Sequence, residues 1–264
     1  MTWLRSMAFN LAFYGWTVVA GVCGLPLLLF PARYTLAYSR FWAGGMAWMA
    51  RALVGLDWEM RGREHLPDGP CIVAIKHQSA WDTLMYTSMM ERPAVVLKRE
   101  LLFIPVFGWL LARARMIAVD RKAGSAAIRS LLRQAEAAAA AGRPIVIAPE
   151  GTRSPPGAQP DYHPGVAALY TRLGLPVVPA ALNSGLFWAR RGFLRRPGRI
   201  TVQFLEPVPP GLTRAAFMAT LRQRIETASL DLLAEAATRD RIALPPLAEA
   251  ALRERGEAPA TPQA

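Results

Sequence analysis

The chain has 264 residues, of which 53% are hydrophobic, and it carries a formal net charge of +12 at pH 7. This length can bury a full core, and the apolar content excludes intrinsic disorder for most of the chain. The basic balance favours an anionic partner, such as lipid headgroups, phosphorylated substrates or nucleic acid, and charge alone does not separate these classes.

The first apolar segment, residues 6–32, contains no charged residue. It is long enough to cross the ~30 Å hydrocarbon core of a bilayer as a helix. Gly21, Gly24 and Pro26 lie inside it, so a kinked or re-entrant segment is an alternative to a straight span. Arginines at positions 33, 40 and 51 follow the segment, whereas only Arg5 precedes it. This bias predicts that the rest of the chain lies on the cytoplasmic side of the cell inner membrane.

Residues 34–56 form a second apolar stretch that contains two arginines and several aromatic residues. This composition fits an interfacial helix that lies along the bilayer, and it fits a core helix of the globular domain equally well. Both alternatives stay open. We predict that residues 1–56 form membrane-anchoring helices.

Beyond residue 56 the signals for strands and helices alternate. Apolar runs predict strands at 71–75, 94–97, 116–119, 145–148, 177–182 and 200–205. Helical patterns lie at 81–90, 125–141, 166–173 and about 213–237, the last with Thr213 as N-cap. This alternation predicts an α/β domain over 57–244, with a central mixed, largely parallel sheet flanked by helices. Residues 245–264 are predicted to form a flexible C-terminal tail.

The stretch KHQSAWDT, residues 76–83, places polar groups at the end of a predicted buried strand. His77 and Asp82 would not lie side by side on a regular helix, because positions i and i+5 point in different directions. They can meet if His77 lies in the turn and Asp82 in the first turn of the following helix. A carboxylate on one imidazole nitrogen leaves the other free as a general base. Helix capping by His77 is the simpler alternative.

Two further loops carry groups that suit an anionic ligand. The stretch IVIAPEGTRS, residues 145–154, offers Gly151, two hydroxyls and the planar guanidinium of Arg153. The stretch LKRELLFIPVFGWLL, residues 97–111, sets Lys98 and Arg99 beside large apolar groups. This second loop suits a ligand with a charged head and an apolar tail, or a membrane-facing loop.

These motifs together resemble the glycerolipid acyltransferases. HQSAWD matches their H-x-x-x-x-D motif, and EGTR, residues 150–153, matches their E-G-T-R motif in the same order. KREL with Pro105 and Gly108 resembles their middle motif, and LPVVPAALNSG, residues 175–185, resembles their fourth. The resemblance covers about residues 60–210 and is greatest to the bacterial 1-acyl-sn-glycerol-3-phosphate acyltransferases.

The resemblance implies acyl transfer from acyl-CoA or acyl carrier protein to the sn-2 hydroxyl of lysophosphatidate, giving phosphatidate. By that analogy His77 is the general base, and Asp82 orients it. The implied substrate-binding residues are Lys98, Arg99, Glu150, Gly151, Thr152 and Arg153, with Arg153 on the acceptor phosphate. No metal and no cofactor is expected beyond the acyl thioester, and the expected partners are these substrates and membrane lipid, not nucleic acid.

Three positions depart from the family pattern. Lys76 precedes the histidine where many members have asparagine, Ala148 stands where phenylalanine is frequent, and His163 stands where lysine is common. These departures leave the acceptor preference open, so a sibling acyltransferase with another lysolipid acceptor remains an alternative.

Two other classes of function are alternatives. A hydrolase would use Ser79 as nucleophile, but the chain lacks the G-x-S-x-G elbow, and Ser79 is only two residues from His77. A basic membrane-binding or nucleic-acid-binding module would rest on FWARRGFLRRPGR, residues 187–199, which has five arginines between 190 and 199. The apolar segment upstream favours lipid or acyl donor over nucleic acid.

Overall fold

The structure is a computed structural model that describes residues 2–256. A seven-stranded sheet forms its centre, in the order β1-β7-β6-β2-β5-β3-β4. The strands are β1 Leu56–Arg61, β2 Ile72–Ile75, β3 Ala94–Lys98, β4 Ile117–Val119, β5 Ile145–Ile147, β6 Val177–Leu182 and β7 Gly198–Phe204. All neighbours are parallel except β6 and β7, which confirms the predicted mixed, largely parallel sheet.

Helices flank both faces of this sheet, as predicted. They are α1 Thr2–Cys23, α2 Ala32–Met49, α3 Ala80–Met89, α4 Phe107–Arg113, α5 Ser125–Ala140, α6 Pro164–Leu173, α7 Arg214–Arg239 and α8 Pro246–Glu254. Alternate residues of β2 serve different faces: Val73 and Ile75 pack with α2 and α3, whereas Ile72 and Ala74 pack with α5 and α6. A strand buried on both faces needs a continuous apolar run, which is what β2 has.

Strand β1 is absent from the sequence-based prediction. Its residues alternate between apolar and charged, and it pairs only with β7 at the edge of the sheet. Glu59 lies 2.5 Å from Arg61 and 3.2 Å from Arg199, so the charges of this strand pair with one another and with its neighbour. Such a strand lacks the apolar run that marked the central ones.

The first two helices form an antiparallel hairpin. Trp16 donates a hydrogen bond of 3.0 Å to the carbonyl of Trp42, and Tyr38 donates one of 2.8 Å to that of Ala20. The chain turns through a short 3-10 segment, Leu25–Leu29, at the predicted Gly24 and Pro26 kink. By length and composition alone, α1 is able to cross a membrane.

The hairpin is also part of the core. Phe9 of α1 and Met46 of α2 are fully buried in the same cluster as Leu252 of α8. Opposite faces of both helices expose large apolar side chains, among them Trp3, Leu11, Tyr14, Val18, Phe41 and Trp48. Helix α2 therefore has a buried face, as a core helix does, and an exposed apolar face, and its placement along a bilayer stays a prediction. Cys23, at the end of α1, is exposed.

The predicted C-terminal tail is partly helical. Helix α8 spans Pro246–Glu254 and buries Ala248 and Leu252 completely. The prediction of a flexible tail from residue 245 is wrong for this helix, because its two apolar positions one turn apart pack on the core. The rest of the predicted tail, residues 257–264, lies outside the described residues.

The sheet brings the functional motifs to one edge. Strands β2, β3, β4, β5 and β6 all run in the same direction. Their carboxyl ends therefore meet at the same edge, and the segments that follow them carry the motifs singled out in the sequence. Ligands of open α/β sheets bind outside the carboxyl ends of the strands.

Candidate active site

The histidine–aspartate pair lies at the end of the central strand β2. Nδ1 of His77 is 3.0 Å from Oδ2 of Asp82. Asp82 is fully buried, whereas the His77 side chain keeps 15% of its surface exposed. A carboxylate only accepts hydrogen bonds, so Nδ1 carries the hydrogen in this contact. Within residues 2–256 the opposite nitrogen, Nε2, has no partner, and its lone pair can accept a proton.

A capping box at the start of α3 explains the five-residue spacing. Ser79 is the N-cap, and its Oγ accepts a hydrogen bond of 3.1 Å from the N–H of Trp81. Asp82, three residues later, accepts the N–H groups of Gln78 and Ser79 at 2.8 Å. Ser79 and Asp82 therefore cap the helix, and His77 approaches the helix terminus from the extended chain before it.

A serine from the 3-10 turn that follows β6 completes the contacts of the aspartate. The hydroxyl of Ser184 donates a hydrogen bond to Oδ1 of Asp82, and both side chains are fully buried. Each oxygen of Asp82 is thus held by donors, which fixes the carboxylate beside the imidazole. Ser184 belongs to the stretch that resembles the fourth family motif, but nothing in its spacing from His77 marked it as a partner.

The predicted substrate-binding residue Glu150 is buried beneath the site. Its Oε2 accepts the N–H of His77 at 2.9 Å, and its Oε1 accepts the hydroxyl of Ser154 at 2.8 Å. Nζ of Lys76 lies 3.2 Å from Oε1. Burial raises the pKa of Glu150 above its usual range, and Lys76 acts against that rise. With 2% of its surface exposed, Glu150 holds the His77 backbone in place.

Lys76 links the histidine motif to α7. Its ammonium group lies 2.7 Å from one carboxylate oxygen of Glu226, 2.8 Å from the other and 2.8 Å from the carbonyl of Ala158. The hydroxyl of Tyr162 donates a further hydrogen bond of 2.8 Å to Glu226. The lysine that departs from the family pattern is thus a buried structural cation, and Glu226 is a partner that the sequence did not reveal.

The E-G-T-R loop places one unpaired cation beside the pair. Gly151 has φ of +66°, and a Cβ atom there would lie 2.4 Å from the ring of His163, so only glycine fits. Thr152 is exposed, and Arg153 is partly buried. Among residues 2–256 the guanidinium of Arg153 has no carboxylate partner. It is therefore available to an anionic ligand.

Lys98 and Arg99 lie at the same edge, after β3, and are already paired. Lys98 is 3.4 Å from Glu100, and Arg99 is 3.4 Å from Asp120. The side chains of both cations are about half exposed. Exposed pairs of this kind contribute roughly 0–1 kcal/mol, so an anionic ligand can replace their carboxylate partners at little cost.

Arg121, which follows β4, is a further basic residue of this edge. It donates a hydrogen bond to the carbonyl of Gly151 and so contacts the E-G-T-R loop from the neighbouring strand. A basic residue directly after a parallel strand was the signal that could have identified it.

The structure argues against a serine hydrolase and gives part of the basic stretch a structural role. Ser79 is fully buried and caps α3, so it is not an accessible nucleophile. In the basic stretch, Arg195 is buried, stacks 4.2 Å over Trp188 and donates to the carbonyl of Gly192. Asn10 of α1 donates to the carbonyl of Phe193 in the same loop. This stretch therefore seats the N-terminal helix on the domain.

An apolar cavity of about 390 Å³ lies between the hairpin and the domain. Its walls come from α1, α2, α3 and the segment from β3 to Met116, with Val18, Trp42, Leu84, Leu97 and Leu110 among the lining residues. Thr83 and Leu84 directly follow Asp82 on α3 and line this cavity. A cavity of this size and lining suits a hydrocarbon chain.

Comparison with known proteins identifies relatives of this architecture. A family model described as Acyltransferase matches residues 57–183. The 1-acyl-sn-glycerol-3-phosphate acyltransferase of Pseudomonas aeruginosa is 37% identical over 210 residues, which are 80% of this chain and 81% of that protein. The human 1-acyl-sn-glycerol-3-phosphate acyltransferase beta is 29% identical over 177 residues, which are 64% of each chain.

A solved structure shares the fold. The crystal structure of the 1-acyl-sn-glycerophosphate acyltransferase PlsC from Thermotoga maritima superposes with a TM-score of 0.74, covering 88% of this chain and 98% of that one, at 22% sequence identity. Sequence identity across four-fifths of a relative and the matching motifs agree with this fold. The chain therefore belongs to the 1-acyl-sn-glycerol-3-phosphate acyltransferase family.

Proposed function

We propose that this protein transfers an acyl group from a thioester to the sn-2 hydroxyl of lysophosphatidate, giving phosphatidate. The observation that carries the proposal is the His77–Asp82 pair. Nε2 of His77 has no partner among the described residues, and the pair lies at the same sheet edge as the unpaired guanidinium of Arg153. The name shared by relatives from bacteria, plants, yeast and human supports the reaction.

In the proposed mechanism, Nε2 of His77 accepts the proton of the sn-2 hydroxyl as its oxygen attacks the thioester carbonyl. The tetrahedral intermediate collapses, the carbon–sulfur bond breaks, and the imidazolium returns the proton to the leaving thiolate. Asp82 fixes the tautomer and stabilises the imidazolium while it exists. Asp82 in turn is fixed by Ser184 and by the backbone of α3.

We assign the acceptor phosphate to Arg153, with support from Lys98, Arg99 and Thr152. A guanidinium without a carboxylate partner suits a phosphate, because its planar fork donates two parallel hydrogen bonds. Glu150 and Gly151 shape this subsite from below, because Glu150 is buried and Gly151 admits the close approach of His163. The apolar cavity beside α3 would hold an acyl chain.

We further propose that the hairpin of α1 and α2 holds the enzyme on the cytoplasmic face of the inner membrane. The exposed aromatic and aliphatic side chains of the hairpin support this location, as do the arginines that follow residue 32. An acceptor that resides in the bilayer would then reach the site without leaving it. Acyl-CoA and acyl carrier protein remain the two candidate donors, and we propose no cofactor and no metal.

A coupled assay tests the function. The purified full chain is given lysophosphatidate in mixed micelles with acyl-CoA or acyl carrier protein, and thiol release and product lipid are measured together. Equal amounts of free thiol and phosphatidate support the proposal. Thiol release without phosphatidate would indicate a thioesterase. Transfer to lysophosphatidylcholine in preference to lysophosphatidate would identify an acyltransferase with another lysolipid acceptor.

A further inference from the structure

A second cavity, of about 300 Å³, lies at the opposite edge of the sheet. Three of its lining residues, Arg92, Arg115 and Arg143, each lie two residues before a strand, β3, β4 and β5 respectively, and a fourth, Arg33, lies in the first turn of α2. These strands are parallel, so their amino ends face away from His77. Along β5 alone, the chain from Arg143 to Glu150 spans roughly 20 Å at the rise of an extended strand.

Arg143 forms the floor of this cavity. It is 5% exposed, and its guanidinium donates to the carbonyls of Arg92, Pro93, Ala114 and Arg115 at 2.7–3.1 Å. Burial, together with the positive charges of Arg92 and Arg115, lowers the pKa of Arg143 to about 10. Arg143 is therefore a buried cation at neutral pH that is held by carbonyl groups, and no carboxylate in the cavity lining balances its charge.

Arg92 and Arg115 are exposed at the mouth of the cavity. Their φ angles are +50° and +53°, a conformation that favours glycine or asparagine, so backbone geometry does not explain arginine at either position. Within residues 2–256 neither side chain has a carboxylate partner, and no aspartate or glutamate lines the cavity. The lining residues other than the four arginines are all neutral.

On the side of the hairpin the cavity is lined by Ala32, Arg33 and Leu36, and the exposed apolar residues that adjoin them in the chain form what we call the apolar rim. Arg33 is exposed beside Tyr34, which it contacts at 3.2 Å and over whose ring its guanidinium lies at 4.9 Å. Leu29, Phe30 and Tyr34 expose 85%, 50% and 44% of their surfaces next to it. A ligand bound at the arginines would thus carry its negative charge inside and an apolar part against this rim.

We propose that this four-arginine cavity binds the phosphate of an anionic membrane phospholipid. Guanidinium groups match phosphate oxygens in paired hydrogen bonds, and the lipid would supply the negative charge that the cavity lacks. The apolar rim favours a lipid over a soluble phosphate, because the rim continues the exposed apolar surface of the hairpin. The site lies at the opposite edge from His77, so a lipid bound there holds the enzyme on an anionic bilayer and is not a substrate.

Vesicle binding with charge-matched variants tests this proposal. The full chain is diluted from neutral detergent into phosphatidylcholine vesicles with or without phosphatidylglycerol, and the bound fraction is measured by sedimentation. The site variant is Arg92→Gln/Arg115→Gln, and the control is Arg63→Gln/Arg214→Gln, which removes the same charge from exposed arginines that have no ion pair in the described chain. Arg143 is left intact because it holds four carbonyl groups of the fold.

We expect the site variant to bind phosphatidylglycerol vesicles roughly tenfold more weakly than the control, since each arginine near an anionic surface contributes appreciably. Both variants should bind pure phosphatidylcholine vesicles equally. Arg33→Gln, on the exposed start of α2, should give a smaller loss in the same direction and keeps the test valid if the double variant folds poorly.

Two results would overturn the proposal. An equal loss in site variant and control would mean that only the general positive field acts. The second result combines two measurements. Wild type and site variant would bind vesicles equally, and glycerol 3-phosphate at constant ionic strength would raise the Tm of the wild type only. The cavity would then be a site for a soluble phosphate compound.

Discussion

The charged side chains at the two edges of the parallel strands differ in how they are paired. At the carboxyl edge, His77 and Lys76 each lie within 3.0 Å of a carboxylate that is itself held by other groups. At the amino edge, Arg92, Arg115 and Arg143 share a cavity with no acidic residue in its lining. The charged groups around His77 are thus paired and positioned before any ligand binds, as a catalytic site requires. The arginines at the amino edge have no carboxylate in the cavity lining, so a bound anion would balance their charge.

The largest expected effect is at His77. His77→Ala should lower kcat by about 10²–10⁴-fold whichever substrate is varied, because general base catalysis contributes that much. The imidazole is partly exposed, so the fold should persist. His65→Ala, at the far end of β1, serves as the control and should retain activity. Near-normal turnover in His77→Ala would show that His77 is not the general base of the reaction.

Lys76 should matter mainly for stability. Lys76→Met leaves Glu226 and Glu150 buried without their cation, and loss of one partner of a buried ion pair costs about 3–5 kcal/mol of unfolding free energy. The exposed Lys122→Met is the matched control. Adding Glu226→Gln to Lys76→Met should recover part of the loss in thermal unfolding. Strictly additive losses would show that the two groups are not coupled.

Arg153 should act on the acceptor. Arg153→Ala should lower kcat/KM for lysophosphatidate by about tenfold to a hundredfold, because a charge-assisted contact of about 1.5–3 kcal/mol is lost. Arg153→Lys keeps the charge but loses the planar guanidinium, so its kcat/KM should lie between those of the wild type and Arg153→Ala. Arg196→Ala, at an exposed position, is the control. A KM increase confined to the acyl donor would assign the acceptor phosphate to Lys98 and Arg99.

Ser184 should have a smaller effect of the same kind as His77. Ser184→Ala removes one hydrogen bond to Asp82, with a net value of about 0.5–1.5 kcal/mol, so kcat should fall roughly threefold to tenfold. Ser229→Ala is a close control, since Ser229 is buried and its hydroxyl has no partner in the described chain. Unchanged kcat in Ser184→Ala would mean that the α3 backbone alone positions Asp82.

The smallest expected effect on kcat is that of the variant at the amino edge. Arg92→Gln/Arg115→Gln should leave kcat for lysophosphatidate within about twofold of wild type in neutral micelles, as expected for surface changes away from the site. The initial rate of phosphatidate formation measures this. A collapse of kcat in micelles would show that the amino edge takes part in the reaction.

Sequence patterns predicted the central strands well, because β2, β5 and β6 are buried on both faces and appear as unbroken apolar runs. Edge strand β1 and helix α8 were missed, because charged residues or short length hide their one apolar face. The His77–Asp82 contact was predictable from a local capping geometry. The contacts of Lys76 with Glu226 and of Asp82 with Ser184 were not, since they join residues 150 and 102 positions apart.

One feature of the core bears on how the chain is made. Phe9 of α1 and Leu252 of α8 are buried in one cluster, so its packing joins the first helix to the last. During synthesis α1 leaves the ribosome long before α8 does, so until then the cluster around Phe9 lacks the residues that α8 contributes. If the hairpin is the membrane anchor that we propose, the bilayer would cover the apolar face of α1 during this interval, and the completed fold would then join the hairpin to the catalytic domain.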